Sequence, residues 1–239
     1  NQRIEQFEAD NNRWLVGDYC AETLILANGY QANQFIQTRD LPLEPISGQL
    51  TTIGTHPSIK KLKRPLCGEG QLFPEKNEQH VLGATYHHGI KAITALDDSD
   101  NLEKWQGLFP ELVTASVRAN WCGIRAATPD YLPLVGPVPD SAEIKKKFST
   151  LASDSKRWLA TPGDYYPGLY IFSGFGSRGL TTIPLAAEYL VNLINQAPLN
   201  LPHRLAKSLS PSRFIIKKII KKKMLEIKYI FHYYLIIMF

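Results

Sequence analysis

Gly174, Gly176 and Gly179 interrupt the segment Gly168–Pro184 between a β-prone run, Leu169–Phe172, and an apolar run reaching Leu193. The first run has the residue types of a buried strand. The glycines permit tight turning and close approach of a ligand to the backbone. A helix beginning there presents unobstructed N–H groups and a positive dipole end to an electron-rich atom. The N1/O2 edge of a flavin, which gains negative charge on reduction, is such a group. A ligand-free strand–turn–helix connection has the same pattern, so both readings are open at this point.

Arg125 sits on or just after a stretch of small and apolar residues, Ala119–Ala127, that reads as a strand. Its guanidinium either pairs with nearby Asp130 or grips a substrate carboxylate in bidentate fashion. Arg178, inside the glycine turn, is either a solvated residue or a positive charge beside a reduced flavin or a phosphate. Tyr86, His87 and His88 end a strand, without Asp, Glu or Cys at metal-ligand spacing, so no metal is expected. No nucleophile elbow accompanies them, so Ser/His/Asp catalysis is not expected. Lys207, Arg213, Lys217, Lys218 and Lys221 to Lys223 form a basic strip suited to RNA phosphates, or simply to water.

The elements that must position these residues follow from patterning. Hydrophobic residues make up 44% of the 239-residue chain, which excludes wholesale disorder. The net charge of +5 is uneven: Arg204 to Lys228 holds nine Lys or Arg and one Glu, leaving −3 elsewhere. Cys20, Cys67 and Cys122 are scattered, as in a reduced cytoplasmic setting. Arg13–Val16 and Glu22–Ala27 read as strands, the second ending at the turn signal Asn28-Gly29. Gly48–Thr55 alternates as a half-buried strand. Gly70–Pro74 and Val81–Thr85 read as a hairpin around Glu75–Gln79. A helix is expected over Asp98–Phe109, capped by Asp98 or Ser99, with Leu102, Trp105 and Phe109 inward. Thr128–Pro139 reads as a rigid proline-rich loop. Asp140–Gly163 reads as polar surface with Trp158 the exception. No Gly-x-Gly-x-x-Gly opens a βαβ unit. No internal repeat appears.

The motifs Leu24–Gln31, Leu43–Gln49, Val81–Gly89, Gly123–Gly136, Gly174–Leu180 and Leu209–Arg213, in this order and spacing, resemble the FAD-dependent D-amino-acid-oxidase-like superfamily. Within it, they are most similar to the oxidoreductase portion of the bifunctional enzymes that modify the wobble uridine of tRNA. The resemblance implies an α/β (α+β) fold: the C-terminal portion of a two-domain enzyme of the D-amino-acid-oxidase/glutathione-reductase type, with an antiparallel substrate-domain sheet. It implies the end of an FAD-binding domain over 1–44, a substrate domain over 45–118 and a return to the FAD-binding domain over 119–200. A basic segment over 201–223 and an atypical hydrophobic tail over 224–239 follow. The tail reads either as misframed sequence or as a membrane-surface or partner helix, and the eleven residues Tyr229–Phe239 are too few to cross a bilayer.

The resemblance also assigns roles. It places Gly48, Gly174, Gly176, Ser177, Arg178, Gly179, Leu180 and Thr181 beside FAD, the last group through backbone amides. Arg125 is the residue for the substrate carboxylate, and Tyr86 the one to stack on or hydrogen-bond the base. Lys207, Arg213, Lys217, Lys218, Lys221 and Lys222 are the candidates for tRNA phosphate. The implied reaction oxidises the C–N bond of carboxymethylaminomethyl uridine to give aminomethyl uridine. The chain is expected to be a fragment, lacking the cofactor fingerprint and a preceding methyltransferase domain. Two rivals remain: a small-molecule amine or amino-acid oxidase, and a catalytically silent RNA-binding or structural remnant.

Overall fold

A computed structural model describes residues 3–157, 159 and 161–221. Trp158, Lys222, Lys223 and the tail over 224–239 lie outside the described residues. The chain divides into two units, 1–43 with 127–239, and 44–126. The architecture is α/β, with an antiparallel sheet in the second unit.

The first unit begins with an antiparallel meander, β1 (Glu8–Asp10), β2 (Arg13–Val16) and β3 (Tyr19–Ala21). Asn11 and Asn12 both take positive φ in its first turn, a conformation Asn tolerates. β4 (Leu24–Leu26) follows, and after it comes the turn at Gly29, whose φ of +67° suits the turn signal there. Phe7, Trp14 and Phe35 pack as an aromatic cluster, and Trp14 Nε1 donates to the Pro167 carbonyl at 2.9 Å.

The second unit is built on β5 (Glu44–Gly54), an eleven-residue strand. β6 (Leu66–Cys67), β7 (Gln71–Leu72) and β8 (Gln79–Gly83) extend its sheet, with β9 (His87–His88) paired to β5 as well. Leu72 stands opposite Leu82, and Asn77 and Glu78 adopt positive φ in the turn between β7 and β8. α1 (Ala95–Glu103) and β10 (Val117–Ala127) complete the elements that matter here, with β10 next to β5 in the sheet. The core joins Ile53, Leu72 and Leu82 to Leu102, Trp105 and Leu112. The helix starts earlier than its sequence suggests. Thr94, not Asp98 or Ser99, is the cap, accepting from the Asp97 amide, and Trp105 lies in the turn beyond the helix.

Back in the first unit, β11 (Leu134–Pro139) corrects the expectation of a proline-rich loop. It is a buried strand, tolerant of Pro137 and Pro139 because it lies at the sheet edge and its register breaks between them. The polar stretch after it contains α2 (Ser141–Lys147), capped by Asp140 through the amides of Ala142 and Glu143. β12 (Tyr165–Ser173) pairs antiparallel with β11 and parallel with β4, giving the order β11-β12-β4. α3 (Gly179–Ile194) packs Ala186, Tyr189 and Leu190 against Val135 and Ala206, the latter on α4 (His203–Leu209). A helical segment over 213–221 ends the described chain.

That last segment is tied down by one ion pair. Arg213 donates to Asp130 through Nε at 3.1 Å and Nη2 at 2.9 Å, and to the carbonyls of Leu132 and Pro133. Lys217 Nζ reaches the same carboxylate at 3.0 Å. Burial alone would push Asp130 upward. Hydrogen bonds from Arg213 and Lys217, with the positive charge of Arg213, overrule burial and hold the carboxyl well below the usual carboxylate range.

Two expectations follow. Gly174 has φ +78°, and a Cβ there would meet Thr128 Cγ2 at 2.8 Å, whereas Gly176, with φ +55°, faces open space. Gly176→Ala should cost only the backbone term of about 1–2 kcal/mol of unfolding free energy, and Gly174→Ala should cost more than that, because the clash adds to the same backbone term. Equal losses in denaturant unfolding would contradict the packing argument. For Asp130, the depressed folded value means its stabilisation is present above the unfolded value of 3.8 and is lost as pH falls toward the folded value. Unfolding midpoints of Asp130→Asn should therefore vary less with pH below about 4 than those of the parent protein.

Candidate functional site

Each unit carries its own set of candidate residues. In the first, β4 and β12 run parallel, with Leu24 opposite Leu169 and Leu26 opposite Ile171, so their carboxyl ends lie side by side. Open α/β sheets bind ligands at that end of the strands. Ser173 Oγ donates to the Gly29 carbonyl at 2.8 Å, fixing the two turns against each other. A 3-10 turn, Gly176–Arg178, then leads into α3.

The start of α3 is open. Its cap residue Arg178 makes no side-chain capping bond, and no acidic residue occupies the first turn. Ser177, Arg178, Leu180 and Thr181 are exposed, Leu180 at 96%. The Thr181 and Thr182 hydroxyls donate to the Arg178 carbonyl at 2.9 and 3.0 Å. The amides are therefore the groups left to bind a ligand, and the helix end favours negative charge. The anchoring residues Ala186, Tyr189 and Leu190 all lie further along the helix. A flavin's N1/O2 edge fits this donor set.

In the second unit, Arg125 lies directly over Gly48. A Cβ built on Gly48 would collide with Arg125 Nη1 and sit 2.7 Å from the Thr85 carbonyl. Among the described residues, Nη1 is buried without a hydrogen-bond partner. The sequence offered Asp130 as its partner, but Asp130 pairs with Arg213 and Lys217. A buried guanidinium nitrogen without an acceptor is costly unless a ligand supplies one. A carboxylate matches its charge and fork.

Sequence reasoning missed what holds this region. Asp98, 7% exposed, accepts from Gln49 Nε2 at 2.9 Å, Thr51 Oγ1 at 2.7 Å and Asn120 Nδ2 at 3.0 Å. It thus ties β5, which carries Gly48, to β10, which carries Arg125. Asn101 Nδ2 donates to the Gln49 carbonyl and to Thr51 Oγ1. Only the apolar spacing of the helix is legible in sequence, and it does not reveal that Asp98 and Asn101 point into a buried sheet.

Tyr86 is half exposed and packs edge-to-face on His88. His87 Nε2 lies 2.5 Å from Asp97 Oδ1. Burial raises Asp97, but hydrogen bonds from Thr94, His87 and Thr85 prevail and lower it. Among the described residues no His/Cys/Asp/Glu group is arranged for a metal, and no helix is long and apolar enough to cross a membrane. Of the basic strip, Lys207, Lys217, Lys218 and Lys221 are exposed, while Arg213 is turned inward with its side chain 8% exposed. Lys222 lies outside the described residues.

The chain is similar to known proteins. The chain is 46% identical over 222 residues to the tRNA 5-methylaminomethyl-2-thiouridine biosynthesis bifunctional protein MnmC of Legionella pneumophila strains Lens and Corby. The match covers 92% of this chain and 33% of those relatives, so the chain spans about a third of their length. Among solved structures, glycine oxidase from Geobacillus kaustophilus superposes with a TM-score of 0.67 at 19% identity, over 88% of this chain and 52% of that one. Iminodiacetate oxidase from Chelativorans sp. BNC1 gives 0.63 at 22% identity, over 86% and 52%. The profile of the DAO family, FAD dependent oxidoreductase, matches residues 1–193, and the chain belongs to that family.

Proposed function

We propose that this chain supplies the flavin-ring and substrate-carboxylate elements of an FAD-dependent oxidoreductase that converts carboxymethylaminomethyl uridine at the tRNA wobble position to aminomethyl uridine. The observation that carries the reading is the buried, unpartnered Arg125 Nη1 above Gly48. It suits a substrate ending in a carboxylate. The 46% identity to the MnmC proteins points to tRNA as the molecule bearing it. With tRNA as substrate, the place of action is the cytoplasm.

When bound, FAD supplies a two-electron oxidation of the amine, accepting hydride from the carbon next to nitrogen, with dioxygen as the final acceptor. The substrate nitrogen loses its proton to solvent, and water hydrolyses the resulting substrate imine to glyoxylate and the free aminomethyl uridine. The protein's part is placement and electrostatics. The amides at Ser177, Gly179, Leu180 and Thr181 would hold the electron-rich edge of the flavin and favour negative charge there. Arg178 adds positive charge from the same turn. Gly174 and Gly176 would let the backbone approach the flavin ring, and Gly48 leaves space for the Arg125 fork. Tyr86 offers an exposed ring for the uracil base. A substrate amine arriving neutral needs no protein general base, in keeping with a site built from an arginine and amides.

Arg125→Lys keeps the charge and loses the planar fork. In the flavin-loaded protein, anaerobic reduction by modified tRNA should slow about 10–100-fold, equivalent to about 1.4–2.7 kcal/mol. The flavin absorbance spectrum should stay that of the parent. Stopped-flow reduction measures the rate, and an unchanged value would remove Arg125 from the carboxylate role. Equal reduction by glycine and by modified tRNA would favour a small-molecule oxidase.

A further inference from the structure

Apart from the glycine turn, the first unit has a cleft of about 390 Å³ whose lining includes Arg204, Lys207, Ser208, Arg213 and Lys217, with Asp130 its one carboxylate. Four cations thus face one anion. The anion is already engaged: both Arg213 and Lys217 pair with Asp130. Arg204 and Lys207 are exposed and have no acidic partner among the described residues. They stand three residues apart on α4, so they share a face with Ser208, one residue further.

This division of labour separates scaffold from ligand contact. Arg213 is held by five acceptors, the Asp130 carboxylate and the carbonyls of Pro133, Leu209, Ser210 and Leu132. Its fork is saturated, and it cannot turn to a ligand without breaking a half-buried pair. It therefore fixes the cleft wall. Arg204 and Lys207 remain as free charges at the rim, and Lys217, half exposed, shares its charge with Asp130. The cleft is of ligand size and carries positive charge in excess of its one carboxylate, Asp130.

We propose that this cleft binds a phosphate group, contacted by Arg204 and Lys207 and walled by the Asp130–Arg213 pair. Assigning the phosphate to an RNA backbone rests on the tRNA reading above, whereas the cleft itself does not. Arg204 joins the contacts, and Arg213 leaves them.

The test uses this chain, its Arg204→Gln/Lys207→Gln variant and a control of equal charge change, Lys60→Gln/Lys61→Gln. Filter binding of tRNA across salt concentrations should show the salt slope falling by about 0.7–0.9 for each phosphate no longer neutralised, hence about twice that in the α4 variant and little in the control. Phosphorus NMR line broadening of inorganic phosphate should weaken at least fivefold in the α4 variant alone. Broadening without tRNA binding would keep the cleft and assign it to free phosphate. Parent-like tRNA slope and phosphate broadening in the α4 variant, or equal losses in the control, would overturn the proposal. Such a result leaves flavin reduction by modified tRNA untouched, so the two readings fail separately.

Discussion

The parallel pairing of β4 with β12 is the constraint on which the molecule turns. Parallel strands cannot be joined by a hairpin. The connection here leaves the first unit after Leu43 and returns at Ala127, with a complete second unit between. Ser173 and Gly29, 144 residues apart, are nevertheless in hydrogen-bond contact. A one-residue slip of β4 would turn buried Leu26 out and exposed Ile25 in. It would also carry the Gly29 turn away from the start of α3. The register of three short residue pairs thus sets where an electron-rich ligand would meet the helix amides.

Local chemistry was legible in the sequence wherever the backbone imposed a residue type. Gly174 is such a case: its positive φ and the Thr128 Cγ2 that any Cβ would strike leave no choice, and the turn stands out without any structure. The Asn28-Gly29 turn and the hairpin around Asn77 are similar. Failures came where tertiary contact overrode a local habit. Pro137 and Pro139 suggest a loop, yet an edge strand tolerates them because their missing amides are not needed there. Asp98 looks like a helix cap because Asp often is one. Its real partners are on β5 and β10, and no pattern within the helix announces them.

Charge pairing was the least legible feature. Arg125 and Asp130 are five positions apart and make an obvious local pair on paper. The structure gives Asp130 to Arg213, 83 residues away, and leaves Arg125 Nη1 alone. Among the described residues Arg125 has no ion pair, and Arg213, paired with Asp130, is not a surface cation. Arg125 is thereby a candidate ligand contact and Arg213 part of the scaffold.

The region around Gly48 faces a difficulty that apolar packing alone does not solve. A guanidinium lying against a bare backbone can be displaced by a small slide of either strand. Leu102 and Trp105 supply burial beside Ile53, but hydrophobic contact is non-directional and tolerates such slides. Asp98 and Asn101 provide direction instead. One carboxylate takes three donors from two strands, and one amide takes two acceptors on β5. Lys104 extends the lattice, donating to the Asn101 side chain and to the Ala84 carbonyl at 3.0 Å each. Moving β5 by one residue would leave several of these buried groups unpaired, at about 1–3 kcal/mol for each. A fully satisfied polar lattice therefore fixes the strand more sharply than its apolar neighbours do. The same lattice keeps Gly48 beneath Arg125, where a side chain of any size would close the space.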